Sequence, residues 1–159
     1  MEIIDKITEK RELRDIDKEF VKKIVKKELK SKDVNELNKK EIKALIKEIR
    51  RQLRIVYGMF RNNKETRNKI IYDKIFSITG KPKRILELGC SLNPLNFKDF
   101  EYYAFDISEN DINKINEYFK KNNIKGYAKV LDLSNKDNYS KLPEADICFM
   151  FRLLESLEY

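Results

Sequence analysis

The residues best suited to chemistry lie between Arg84 and Asp106. Arg84-Ile-Leu-Glu-Leu-Gly-Cys-Ser-Leu-Asn-Pro94 reads as an apolar strand entering a tight turn, and Tyr102-Tyr-Ala-Phe-Asp106 as a second strand ending on a carboxylate. A glycine turn at one strand end beside a carboxylate at its neighbour's end is how open α/β sheets grip an adenosine ligand. The glycine pattern narrows the ligand. A pyrophosphate needs several glycines so that the backbone can approach it and the next helix can pack closely. Here only Gly89 is glycine, with Ser91 and Asn93 where others would stand. S-adenosylmethionine has no phosphate, and Glu87, Gly89 and Asp106 suit its methionine and ribose better. Nicotinamide-dependent oxidoreduction fails on the same count.

Other chemistries are excluded by composition. The 159 residues contain no histidine, and the two cysteines, Cys90 and Cys148, lack paired metal-ligand spacing, so a zinc site and an imidazole general base are both ruled out. Methyl transfer from a sulfonium tolerates that lack, because the cofactor brings the reactive group and the protein mainly orients it.

These residues need elements to position them. Ser108 is a good N-cap for a helix running to Asn122, with Ile112, Ile115 and Phe119 facing inward and acidic residues in its first turn. That helix would hold Asp106 at a strand's carboxyl end, although the aspartate could merely open the turn. Tyr127–Leu131 and Asp146–Phe151 read as strands 3 and 4, and strands separated by crossovers imply a parallel sheet. The first half shows no strand-like alternation. Ile16, Phe20, Ile24, Val25 and Leu29 recur at helical spacing after Asp15, a candidate N-cap. Ile42, Leu45, Ile46, Ile49, Leu53 and Val56 mark a longer helix that Gly58 would stop. A third helix from about Lys64 would turn Ile70, Ile71, Ile75 and Phe76 inward before Thr79-Gly80-Lys-Pro82 breaks it.

Charge divides the chain. Residues 1–83 carry 25 Lys+Arg against 14 Asp+Glu and residues 84–159 carry 10 against 13, so the whole formal charge of +8 originates in the first half. Lys22, Lys23, Lys26 and Lys27 line one helix, and Lys43, Lys47, Arg50, Arg51 and Arg54 the next. Such a surface attracts nucleic-acid phosphates. Arg50, Arg51 and Arg54 are the preferred contacts, since a guanidinium fork suits phosphate and no acidic residue lies within one turn after them. Tyr57, Phe60 and Arg61 follow directly, the two rings able either to stack on bases or to serve a core. No run reaches the length of a membrane helix and Met1-Glu-Ile-Ile-Asp is no signal peptide, so a cytoplasmic protein is expected.

The expected fold class is α/β: a basic helical domain over residues 1–80, then a Rossmann-like parallel sheet over residues 81–159. Within this frame Leu-Glu-Leu-Gly-Cys-Ser-Leu-Asn-Pro-Leu95, preceded by Thr66-Arg67 and by Ile75-Phe-Ser-Ile-Thr-Gly-Lys-Pro82, resembles the aminoglycoside-resistance 16S ribosomal RNA guanine-N7 methyltransferases. The Leu-Asn-Pro-Leu element is the discriminating part. The resemblance runs from about Lys64 to Glu158 and implies a class I methyltransferase sheet, S-adenosylmethionine as cofactor and ribosomal RNA or the small subunit as partner. It also implies that Arg67 meets the methionine carboxylate, that Glu87, Gly89 and Cys90 line the methionine and ribose, and that Asp106 binds the ribose hydroxyls. Asp132 and Leu133 would meet the adenine, and Arg152 stands where the family has a lysine.

Two departures carry expectations. Ser91 replaces the family's glycine, so a stiffer turn is expected there, although Asn93 can adopt a left-handed conformation at modest cost. Family sheets have seven strands where this sequence shows four, so the pocket is expected to lack walls on one side, as in a fragment or a shortened relative. The rival reading is a non-catalytic RNA-binding or assembly module that keeps the methyltransferase-like half as scaffold.

Overall fold

The structure, a computed structural model, describes residues 3–30, 32–55, 69–151 and 153. They form two compact units, residues 1–62 and 63–159.

The first unit is helical: α1 (Ile3–Thr8), α2 (Lys18–Leu29) and α3 (Lys39–Leu53). The N-cap of α2 is Asp17 rather than Asp15, its carboxylate accepting from the Phe20 N–H at 2.8 Å. The shift has a cause. Ile16 is needed in the core before the helix begins, and with Val21 it fills the two positions of a hydrophobic staple, both residues buried. α3 opens on a capping box in which Asn38 caps the Glu41 N–H and Glu41 returns to the Asn38 N–H. Ile4, Ile7, Leu13, Phe20, Val25, Ile49 and Leu53 complete the buried set. Val56 and Gly58, the expected end of α3, lie outside the described residues.

The second unit begins with α4 (Lys69–Thr79), followed by β1 (Arg84–Leu88), β2 (Glu101–Asp106), α5 (Glu109–Lys121), β3 (Gly126–Val130) and β4 (Ile147–Phe149). The sheet is parallel with order β3-β2-β1-β4. α4, assigned from sequence to the helical half, packs on this sheet through Tyr72, Ile75 and Phe76. Its apolar face also differs from expectation. Ile70 and Ile71 are exposed, and the fully buried residue is Tyr72 at 1%.

The strand period of 2 sends alternate residues to opposite faces. Ile85, Tyr102, Ala104 and Phe149 join α4 and α5 in one core, while Leu86, Leu88 and Phe105 form a smaller one with Leu133 and Leu153. Asp146 fastens β4 to β1, accepting from the Lys83 and Arg84 N–H groups at 2.8 Å. Asn116 of α5 clips β3 through both backbone groups of Ala128, each at 2.9 Å.

Candidate cofactor site

The carboxyl ends of β1, β2 and β3 come together around one turn. Gly89 has φ +66°, the left-handed conformation that calls for glycine, and a Cβ there would press on Leu153 Cδ1 at 3.2 Å. The Gly89 and Cys90 N–H groups donate to the Phe105 carbonyl at 2.8 and 3.2 Å, locking the turn to the end of β2. Ser91 follows with φ +46°, and its N–H donates to Asp106 Oδ2 at 2.9 Å. After Gly89, the left-handed residue is therefore Ser91 itself. Asn93, able to take that conformation, opens a short 3-10 turn instead, Asn93–Asn96.

Asp106 also accepts from the Ser108 N–H at 2.9 Å through Oδ1, so one donor fixes each oxygen and further lone pairs remain for a ligand hydroxyl. Burial pushes its carboxyl above the ordinary carboxylate range, and backbone donors, Ser91 and Ser108 foremost, counter part of that rise. The Leu131 N–H donates to the Asp106 carbonyl at 2.9 Å, which sets Asp132 and Leu133 beside it at the end of β3. Asp132 Oδ1 accepts from the Ser134 N–H and hydroxyl at 2.9 and 2.6 Å, shaping the loop, while Leu133 is buried against Leu88 and Phe105. Arg67 and Arg152 lie outside the described residues.

Glu87 and Cys90, expected to line the ligand, point elsewhere. Glu87 is fully buried on the α4–α5 side of the sheet, where Asn93 Nδ2 donates to its oxygens at 2.8 and 2.9 Å and the Tyr102 hydroxyl at 2.6 Å. The Tyr72 hydroxyl in turn donates to Asn93 Oδ1 at 2.7 Å. Burial, and then the charge of Glu87, hold the Tyr102 hydroxyl well above its ordinary pKa, so it remains a donor. The Cys90 thiol sits in the same core and is pushed up by burial and the Asp106 charge, which makes it an inert packing group. Cys90 therefore offers the site its backbone, and Glu87 anchors the turn through Asn93. Sequence reasoning missed Tyr72 and Asn93 as members of this network. The available signal was a tyrosine inside an isoleucine-rich helix, since a buried hydroxyl must find a partner.

This arrangement is a Rossmann-like parallel sheet with a tight turn at the carboxyl ends of β1 and β2. Among solved structures the chain is similar to the 16S rRNA methyltransferase RmtF in complex with S-adenosyl-L-homocysteine, at 19% identity and a TM-score of 0.66 over 98% of this chain and 70% of that one. It is also similar to the 16S rRNA methylase RmtB (17%, TM-score 0.67, 98% and 73%) and to an rRNA methylase from Escherichia coli (17%, 0.66, 98% and 72%). A curated relative, the 16S rRNA (guanine(1405)-N(7))-methyltransferase of Proteus mirabilis, is 38% identical over 52 residues, which span 28% of this chain and 18% of that enzyme. No protein-family model matches the chain. The chain thus has the fold of the 16S rRNA methyltransferases, the family its loop resembles.

Proposed function

We propose that this chain is a methyltransferase unit that binds S-adenosylmethionine at the Gly89–Asp106 turn and acts on guanine N7 of 16S ribosomal RNA. The observation that carries the proposal is the pairing of a left-handed Gly89 turn with Asp106, whose carboxylate is held by one backbone donor on each oxygen. Asp106 would take the ribose hydroxyls, and the loop at Asp132 and Leu133 would border the adenine. Arg67 would meet the methionine carboxylate, with Arg152 near the same pocket. When bound, S-adenosylmethionine supplies an electrophilic methyl group, and guanine N7 already has a free lone pair, so a chain without histidine needs no general base.

The helical unit would dock on RNA phosphates in the cytoplasm, with Arg51, Arg54 and Arg61 among the contacts. Of Arg50, Arg51 and Arg54, Arg50 is the least available, its side chain being 18% exposed, and Arg61 lies outside the described residues. Methylation at that site would bring aminoglycoside resistance to a host strain. The reading is tested by incubating small ribosomal subunits with the chain and methyl-labelled S-adenosylmethionine. Label recovered as N7-methylguanine in 16S rRNA is the expected result. Absence of incorporation alongside intact RNA binding would favour the non-catalytic module instead.

A further inference from the structure

The arginines and lysines of the helical unit have different surroundings. Arg50 donates to the Ile7 carbonyl at 3.2 Å and to the Lys6 carbonyl, and forms an ion pair with the Glu9 carboxylate at 3.6 Å. It thereby closes the carboxyl end of α1, where orphan carbonyls attract a cation. Arg54 pairs with Glu12 at 2.8 Å and Arg51 with Glu48 at 2.7 Å. These acidic partners lie one turn before Arg51 and on a different segment from Arg54, not among the residues that follow the arginines.

Between α1 and α3 runs an open groove of about 410 Å³, lined by Lys6, Glu9, Lys43, Lys47, Arg50 and Arg54 among others. Its one acidic lining residue, Glu9, is engaged by Arg50. Lys6, Lys43 and Lys47 are exposed and make no ion pair among the described residues. The groove is therefore net positive even after its internal pairs are counted, and its unpaired charges are flexible ammonium groups.

We infer that this groove is a seat for RNA backbone phosphates, in which Lys43 and Lys47 bind two neighbouring phosphates, Lys6 assists, and Arg50 holds the walls. Lys43 and Lys47 stand one turn apart on α3, about 6 Å along the axis, so both address the same strand. Ammonium groups act as point charges and need no fixed fork, which suits sequence-independent backbone contact. The inference rests on the RNA-directed reading given above and adds these lysines to the arginines named there.

Binding of the full chain to small ribosomal subunits, followed from about 50 to 200 mM salt, tests it. Lys43→Gln with Lys47→Gln should weaken binding about tenfold at the upper salt and flatten the slope of log K against log salt by about 1.5, near 0.7–0.9 per lost phosphate contact. The melting temperature should not move, because neither lysine holds a partner. Removing the same charge from α2, as Lys26→Gln with Lys27→Gln, should cost less than about threefold. Retained affinity and slope in the Lys43/Lys47 variant would overturn the inference, as would an equal loss in the α2 control. A wild-type chain without salt-dependent binding would instead remove the RNA reading itself.

Discussion

The two units use charge in opposite ways. In the helical unit, Arg50 apart, charged side chains pair sideways at the surface: Arg51 with Glu48, Arg54 with Glu12, Lys22 with Glu19. In the sheet unit Glu87 is fully buried and Asp106 half-buried, each held by fixed hydrogen-bond donors. Surface pairs are worth little singly and can exchange with a polyanion, whereas a buried carboxylate is costly to leave unpartnered and so dictates its surroundings. A turn with fixed donors and a surface with exchangeable charges follow from that difference.

The largest effect should come from breaking the buried network. Glu87→Ala strands the Asn93 amide and the Tyr102 hydroxyl at about 1–3 kcal/mol each, in addition to leaving a cavity. Thermal unfolding should show the sheet unit losing several degrees while the helical unit is unchanged. Equal losses in both would erase the contrast.

Arg50→Ala is the matching lesion in the helical unit. It removes a largely buried cation from two carbonyls and should cost about 1.5–3 kcal/mol, read in chemical denaturation. Arg51→Ala, an exposed pair, should cost under about 1 kcal/mol.

Tyr72→Phe should cost less than Glu87→Ala or Arg50→Ala, about 1 kcal/mol, because the hydroxyl's bond to Asn93 is lost while the ring remains packed against Phe97 and Phe149. Ser91→Gly should change stability in the other direction, by about 0.5–1 kcal/mol, since a non-glycine residue at φ +46° carries strain that glycine relieves. Unchanged or lowered stability would mean that the serine is compensated locally.

Acidity separates the units further. Asp106 has a raised carboxyl, so the unliganded sheet unit binds its proton more tightly than the unfolded chain and loses stability as pH rises from the ordinary carboxylate range through the folded value. Ribose hydroxyls favour the ionised form, so ligand affinity should rise over that same window and become flat in Asp106→Asn. Glu48 behaves oppositely. Held at about 2 by Arg51 and then Gln52, it supports the helical unit above the ordinary glutamate value of 4.5, and that support fades as pH falls toward about 2.

What was legible in the sequence follows the same division. The strand starts and ends fell within a residue or two and Ser108 was the N-cap expected, because a buried parallel sheet imposes continuous apolar runs and a helix start imposes a capping side chain. Asp106 and Gly89 came together because a motif that needs φ above zero and a strand-end carboxylate has few ways to be built. Partners set by tertiary approach were hidden. Nothing local to Glu87 says that Asn93 and Tyr102 will take its oxygens, and nothing local to Arg54 points to Glu12, 42 residues away. α4 was misread for a related reason: an isoleucine pair looks like a core face until a tyrosine with a buried partner outranks it.

The most direct test of the central claim, that the Gly89–Asp106 turn is a cofactor seat, is calorimetric titration of the full chain with S-adenosylhomocysteine. The account predicts saturable one-to-one binding that weakens by about 10-fold to 100-fold in Asp106→Ala, with unchanged secondary structure. No heat at millimolar ligand, or equal affinity in the variant, would contradict it.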